Sequence, residues 1–86
     1  MALNTPISKQ LTTTDATRVT TSTLPCSMVT VWARAGNAGT IAVGNSGGQV
    51  GALSAGDAID MYPNTPGEIY AKASSANDYV DLLVYT

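Results

Sequence analysis

The sequence predicts an all-β fold, a compact antiparallel β-sandwich or jelly-roll-like barrel of about seven to eight short strands. Three observations predict this fold class. Apolar and polar residues alternate in several short stretches, as they do in a strand with one buried face. Turn-forming Gly, Asn and Pro residues recur at spacings of about 8–12 residues. No stretch of useful length repeats its apolar residues with the period of a helix.

Length and composition predict one small domain that gains stability by self-association. A chain of 86 residues buries only about 60% of the surface that its unfolded form exposes, so its core is thin. A single cysteine excludes a disulfide framework, and the absence of histidine disfavours a metal site. We therefore expect no metal and no cofactor. Oligomerisation is the remaining means by which a domain of this size gains additional stability.

The charges disfavour nucleic-acid and membrane partners. Four basic residues are scattered among six acidic ones, for a net charge of −2, so no basic stripe is available to neutralise phosphates. No apolar stretch approaches the length that spans a bilayer, and residues 1–6 lack the pattern of a signal peptide. We therefore expect synthesis in a reducing cytoplasm. Charged residues make up only 12% of the chain against about 25% in ordinary domains, which suits a protein held in a stable assembly.

In chain order, residues 1–8 are predicted to form an irregular N-terminal arm and residues 9–86 a single β-sandwich domain. Pro6 restricts the residue before it to extended conformations, and no core-forming pattern surrounds it. Such an arm either frays or lies across a neighbouring subunit. The Thr-rich stretches Lys9–Thr14 and Ala16–Ser22 then favour strands, because β-branched residues lose rotamer freedom in a helix.

The best-specified element is a hairpin predicted over residues 27–46. Alternation places one set of residues on the inner face of the sheet, namely Val29, Val31, Ala33, Ala35, Ile41 and Val43. Residues 35–39, Ala-Gly-Asn-Ala-Gly, supply the Gly and Asn that a tight turn favours. The only Trp of the chain, Trp32, therefore faces outward beside Arg34.

The rest of the chain predicts one loop and three further strands. Residues 44–51 form a flexible connection between sheets, and a phosphate-binding glycine loop is disfavoured because no helix pattern follows. Strands are predicted at residues 58–62, 68–73 and 79–85. Their inward residues are Ile59, Met61, Ile69, Ala71, Ala73, Val80, Leu82 and Val84.

Aromatic residues concentrate on the outward faces of the predicted strands. The outward apolar residues are Met28, Trp32, Tyr62, Tyr70, Tyr79, Leu83 and Tyr85, which include every aromatic residue of the chain. Interface cores are enriched in such aromatics and in Arg. We therefore predict an interface, with Trp32 and Arg34 as an anchor pair, formed by Trp32, Arg34, Met28, Tyr62, Tyr70, Tyr79 and Tyr85. The alternative is that the inward and outward faces of one or two strands are assigned the wrong way round, so that some of these tyrosines lie in the core. A register error of one residue exchanges the two faces of a whole strand.

The sequence offers little catalytic chemistry. Without His, neither a Ser-His nor a Cys-His arrangement can form, and Cys26 is interpreted as a small buried hydrophobe. The carboxylate pairs Asp57 with Asp60 and Asp78 with Asp81 are three residues apart, so the members of each pair face opposite sides of a strand. Asn77 and Asp78 are interpreted as turn-capping residues rather than calcium ligands. We therefore expect a protein that is not an enzyme.

Four short motifs follow one another in a recognisable order. The stretch V-T-V-W-A-R-A-G-N-A-G-T-I-A-V-G-N-S at residues 29–46 is followed by L-S-A-G-D at 53–57, I-Y-A-K-A at 69–73 and V-Y at 84–85. This order and spacing, over roughly residues 16 to 86, resembles small structural proteins of tailed bacteriophages. Trp32 departs from the pattern, because a polar outward residue is expected at its position.

The resemblance implies a β-sandwich or jelly-roll-like virion component without enzymatic activity. Such domains are similar to homotrimeric capsid decoration (cement) proteins, whose partners are further copies of themselves and the major capsid protein, on the exterior of the capsid. The alternative within the same resemblance is a tail, neck, head-fibre or baseplate component. A third hypothesis rests on the exposed Trp and Tyr residues, which can stack on sugars as in a carbohydrate-binding module.

Overall fold

The computed structural model describes residues 4–86, without the side chains of residues 4, 50 and 51. Eight antiparallel strands make up this part of the chain. They are β1 (Asn4–Leu11), β2 (Thr17–Arg18), β3 (Met28–Ala33), β4 (Ile41–Asn45), β5 (Gly48–Leu53), β6 (Ala58–Met61), β7 (Tyr70–Ala73) and β8 (Asp78–Tyr85).

The strands form two four-stranded sheets with jelly-roll topology. The first sheet has the order β1-β8-β3-β6 and the second the order β2-β7-β4-β5. The pairs β1 with β8, β2 with β7, β3 with β6 and β4 with β5 are nested, as they are when one long hairpin rolls up into a double sheet. The predicted fold class, an all-β sandwich of seven to eight short strands, is confirmed.

The core lies between the two sheets and follows the predicted alternation in four strands. Along β8 every second residue from Asp78 to Val84 is buried, and β3 shows the same pattern. The buried apolar residues are Leu11, Val19, Val29, Val31, Ala33, Ile41, Val43, Ile69, Ala71, Ala73, Val80, Leu82 and Val84. All predicted inward residues of β3, β4, β7 and β8 belong to this set.

Two residues predicted to be inward are exposed, and a third is only half-buried. Ala35 is exposed, because β3 ends at Ala33 and the chain has already left the sheet. Ile59 is 44% exposed, although it lies opposite the buried Val31 and therefore on the core side of its strand. Its strand β6 is the last of the first sheet and therefore has a neighbouring strand on one side only. Met61, the other inward residue of β6, is half-buried and packs against the core.

The predicted hairpin over residues 27–46 is wrong in its pairing. Strands β3 and β4 exist, but β3 belongs to the first sheet and β4 to the second. The chain between them, residues 34–40, therefore crosses from one sheet to the other. Contacts with the start of β8 hold this crossing: both Asp78 carboxylate oxygens accept backbone N–H groups, from Ala38 at 2.9 Å and Gly39 at 2.8 Å. Asn37 adds two hydrogen bonds to the Tyr79 backbone.

The predicted flexible connection at residues 44–51 is also wrong. The β4–β5 hairpin occupies this stretch, with Asn45 opposite Gly48 and only two residues between the strands. The Asn45 side chain accepts the Gly47 N–H at 2.8 Å, which closes the turn locally. A side chain at Gly44 would overlap the carbonyl oxygen of Gly48, so glycine is needed where the two backbones approach each other.

The predicted N-terminal arm is a strand over the part that the structure describes. Residues 4–8 belong to β1, which pairs with β8 over eight positions, and residues 1–3 lie outside the described residues. Pro6 is tolerated because β1 is an edge strand, where alternate backbone nitrogens face away from the sheet and need no ladder hydrogen bond. Between residues 4 and 86 the one helical segment is the short 3-10 turn Pro66–Glu68, and no helix there is long and apolar enough to cross a membrane.

Candidate functional site

Five of the seven residues predicted to form the interface meet on the outer face of the first sheet. Strand β3 carries Met28 and Trp32, strand β8 carries Tyr79 and Tyr85, and Arg34 follows β3 directly. Met28 lies opposite Tyr85 in the register of the two strands. All five side chains are half-buried and still present surface to solvent. Met28 and Tyr85 lie side by side near one end of this face, and Arg34 stacks on Tyr79 near the other end. We call this surface the aromatic face.

The other two predicted residues lie elsewhere. Tyr70 is on β7 in the second sheet, beside Arg18, whose guanidinium carbon lies 5.6 Å from the Tyr70 ring centre. The Arg18 Nε also donates a hydrogen bond to the Tyr70 hydroxyl at 3.3 Å. Tyr62 follows β6 and is 75% exposed. The aromatic face therefore does not include them.

The polar centre of the aromatic face is a hydrogen-bonded group of Arg34, Asp81 and Ser8. The Arg34 Nε donates to Asp81 Oδ2 at 3.1 Å, and Arg34 Nη2 donates to Asp81 Oδ1 at 2.8 Å. This two-point contact is the planar geometry that a guanidinium and a carboxylate favour. Arg34 Nη2 also donates to Ser8 Oγ at 2.6 Å, and the Ser8 hydroxyl donates to Asp81 Oδ1. These hydrogen bonds connect β1, β8 and the residue that follows β3.

Electrostatics and stacking hold this group in one arrangement. Hydrogen bonds from Arg34 lower the pKa of Asp81 despite partial burial, which acts in the opposite direction, and the Ser8 hydroxyl lowers it further. The hydrogen bond to Asp81 raises the pKa of Arg34. The Arg34 guanidinium carbon lies 3.9 Å from the centre of the Tyr79 ring, a cation–π contact. Arg34 therefore interacts directly with Asp81 and Tyr79, and its action with Trp32 as an anchor pair stays a prediction.

A shallow depression of about 460 Å³ opens on the aromatic face above β8. Strand β8 forms its floor and strands β1 and β3 form its walls. The side chains around it are Pro6, Ser8, Trp32, Arg34, Asp81 and Leu83. The charges of Arg34 and Asp81 balance each other, and the walls are mainly apolar. The depression therefore fits an apolar side chain of a partner protein, or a neutral ring that combines C–H faces with hydroxyl groups.

Two further acidic residues and the cysteine have structural contacts. Asp57 Oδ2 accepts the Ser54 N–H at 3.1 Å in the β5–β6 turn, and Asp60 Oδ1 accepts the Thr30 hydroxyl at 2.8 Å. Cys26 is half-buried against the core, and burial raises the pKa of its thiol. Over the described residues, no three Asp, Glu or Cys side chains cluster in a way that could hold a metal ion.

Asp81 and Ser8 belong to the candidate site, although the sequence analysis did not assign them to it. The alternation in β8 places Asp81 outward, which was visible in the sequence. What places it beside Arg34 is the order of strands, with β8 between β1 and β3. Ser8 was missed because its segment was interpreted as an irregular arm.

Comparisons with models of protein families, with curated protein sequences and with solved structures found no match to this chain.

Proposed function

We propose that this chain is a non-enzymatic structural protein of a bacteriophage virion, a homotrimeric capsid decoration (cement) protein. In this proposal it lies on the capsid exterior and stabilises the head by bridging subunits of the major capsid protein. The observation that carries the proposal is the aromatic face, a half-buried aromatic and aliphatic surface on one sheet of a jelly roll. No nucleic acid, membrane or cofactor takes part.

Two considerations support the virion over other settings. Jelly rolls are an architecture that viral capsid and lectin domains share, although a fold alone does not determine a function. The order of the sequence motifs resembles phage structural proteins specifically. The two together favour a particle component over an isolated binding module.

The proposed mechanism is multivalent contact rather than chemistry. Each copy covers surface on more than one capsid subunit, so separating those subunits requires breaking the contacts of the decoration protein as well. Within the aromatic face, Trp32 and Tyr85 supply large apolar area. Arg34 and Asp81 are already held in position, so ordering them on docking costs little side-chain entropy.

Docking of Trp32→Ala on capsids tests the proposal at the aromatic face. We expect purified Trp32→Ala to bind decoration-free heads at least about 30-fold more weakly, because a central aromatic anchor contributes 2 kcal/mol or more. Its thermal unfolding should change much less. Cosedimentation and differential scanning calorimetry measure the two effects.

The matched control is Tyr70→Ala, which removes an aromatic residue from the opposite sheet. We expect it to dock like the wild-type protein. Full docking of Trp32→Ala together with a large loss of thermal stability would assign Trp32 to the folding core and contradict the proposed contact.

A tail, neck, head-fibre or baseplate component is the second candidate, and the same aromatic face would serve as its contact. The two positions differ in stoichiometry. A decoration protein is present at a copy number close to that of the major capsid protein, whereas a tail or neck component is present in only a few copies per particle.

A carbohydrate-binding module is the third candidate, and the depression beside Trp32 favours it specifically. An indole next to a balanced Arg34–Asp81 pair offers a stacking surface and fixed hydrogen-bonding groups. Binding of the isolated protein to a glycan array, abolished by Trp32→Ala, would support this candidate. Absence of binding across the array, with intact docking on heads, would reject it.

A further inference from the structure

Strand β6 leaves part of the core side of the first sheet uncovered. Ile59 lies opposite Val31, so both side chains are on the core side of the sheet. Val31 is fully buried, whereas Ile59 is 44% exposed. A large aliphatic side chain on the core side of an edge strand is the kind of surface that a partner strand or loop covers.

The other two large apolar side chains that are most exposed belong to the same side of the molecule. Tyr62, at 75% exposed, directly follows β6. Leu24, at 70% exposed, lies in the loop before β3. That loop is tied to the segment after Tyr62, because the Cys26 N–H donates to the Asn64 carbonyl at 3.1 Å. We call this side, with Leu24, Ile59 and Tyr62, the β6 edge.

The other three edge strands carry features that discourage pairing with a further chain. Strand β1 contains Pro6 and Lys9, β2 is only two residues long, and the β4–β5 ladder is interrupted by a bulge. Proline, lysine, short length and bulges are the usual means by which proteins protect sheet edges. Strand β6, Ala58–Met61, contains neither Pro nor Lys. Its four residues include one charged side chain, Asp60, which opposes pairing with another acidic edge.

Charge distinguishes the two opposite sides of the sandwich. The β6 edge carries exposed Asp57 and Asp60. Strands β1 and β2 form the opposite edge in the two sheet orders, and they carry Lys9 and Arg18, with Asp15 in the loop between them. Two β6 edges facing each other would bring acidic groups together. A β6 edge facing the β1–β2 edge brings opposite charges together.

We infer that the β6 edge is the surface through which copies of this chain bind one another, head to tail. The β6 edge of one copy contacts the β1–β2 edge of the next, which covers Ile59, Tyr62 and Leu24. A contact between two different surfaces gives a ring when the rotation from copy to copy closes, and in the homotrimer of the proposed function three copies complete that ring. This inference rests on the self-association in the proposed function and specifies the surface that performs it.

The native mass of the isolated protein tests the inference without any particle. We expect light scattering to give a trimer for the wild type and a folded monomer for Ile59→Lys and for Tyr62→Lys. Tyr62 is mostly exposed, so its replacement leaves the core intact even if the variant at Ile59 folds poorly. The control is Ala76→Lys, which adds the same charge at an exposed site in the β7–β8 loop and should remain trimeric.

A charge exchange tests the head-to-tail orientation. Asp60→Arg and Arg18→Asp should each weaken the trimer at low salt, and the double variant should recover it. A wild-type dimer, a wild-type monomer, or trimers that persist in both Ile59→Lys and Tyr62→Lys would overturn the inference. Docking on heads is measured separately. Loss of self-association through the β6 edge can therefore be distinguished from loss of binding to the capsid.

Discussion

At the scale of single residues, Arg34 links the fold to the proposed contact surface. Its guanidinium binds Asp81 at two points, donates to Ser8 and stacks on Tyr79. Its side chain is 42% exposed, so solvent screens the ion pair and its contribution to folding is small. Its larger effect is to hold the aromatic face in one arrangement.

The Arg34–Asp81 pair makes stability depend on pH in the acid range. Because the pKa of Asp81 is lower in the folded protein, its contribution is complete above the unfolded pKa, about 3.9, and is lost as the pH falls through the folded pKa. We expect Asp81→Asn to be about 1 kcal/mol less stable than the wild type at pH 6. The difference should shrink below about pH 4.

Urea unfolding of both proteins between pH 6 and pH 2.5 measures this convergence. Other carboxylates titrate in both proteins, so the difference between the two curves isolates Asp81. A constant difference across the whole range would show that Asp81 acts through packing rather than through its charge.

At the scale of elements, the crossing between β3 and β4 decides the topology. Asn37 and Asp78 tie residues 34–40 to the start of β8, so β3 stays in the first sheet and β4 enters the second. Without these contacts, the Gly- and Asn-containing stretch would also suit a hairpin. Asp78 is 6% exposed, which makes its two hydrogen bonds to backbone N–H groups difficult for water to replace.

We expect Asp78→Ala to lower the free energy of unfolding by about 2–3 kcal/mol, because two charge-assisted hydrogen bonds to the crossing are lost. Denaturant unfolding at neutral pH measures the change. The control is Asp15→Ala, at an exposed position of the β1–β2 loop, which should stay within about 0.5 kcal/mol of the wild type. Equal effects of the two substitutions would contradict the structural role of Asp78.

Burial patterns could be predicted from the sequence, whereas strand partners could not. In β3 and β8, buried and half-buried residues alternate because one face of each strand covers the core. This alternation depends only on residues that are adjacent in the sequence. Pairing depends on contacts such as Asn37 with Tyr79, which are 42 residues apart. Strand β5 was missed because a glycine-rich stretch lacks a clear apolar alternation, and its backbone pairing with β4 defines it instead.

The candidate site shows the same division. The alternation alone predicted that Met28, Trp32, Tyr79 and Tyr85 face outward, and the structure places all four on the outer face of the first sheet. The alternation could not distinguish Tyr62 and Tyr70 from these residues, because it shows which side of a strand a residue faces but not which sheet the strand joins. It also placed Ile59 on the core side correctly but could not show that the sheet ends there.

At the scale of the whole molecule, the two surfaces have different proposed roles. We propose that the aromatic face docks on the capsid and that the β6 edge joins the copies of this chain to one another. A small domain with a thin core gains stability from both contacts. The low proportion of charged residues is consistent with a chain that is largely covered by its partners.

The copy number of the chain in purified virions tests the central claim most directly. Under the proposed function, quantitative mass spectrometry of purified phage particles gives the ratio of this chain to the major capsid protein. A decoration protein predicts a ratio within a few-fold of one, with the chain lost from particles stripped of their outer proteins. A few copies per particle, or none, would contradict the account.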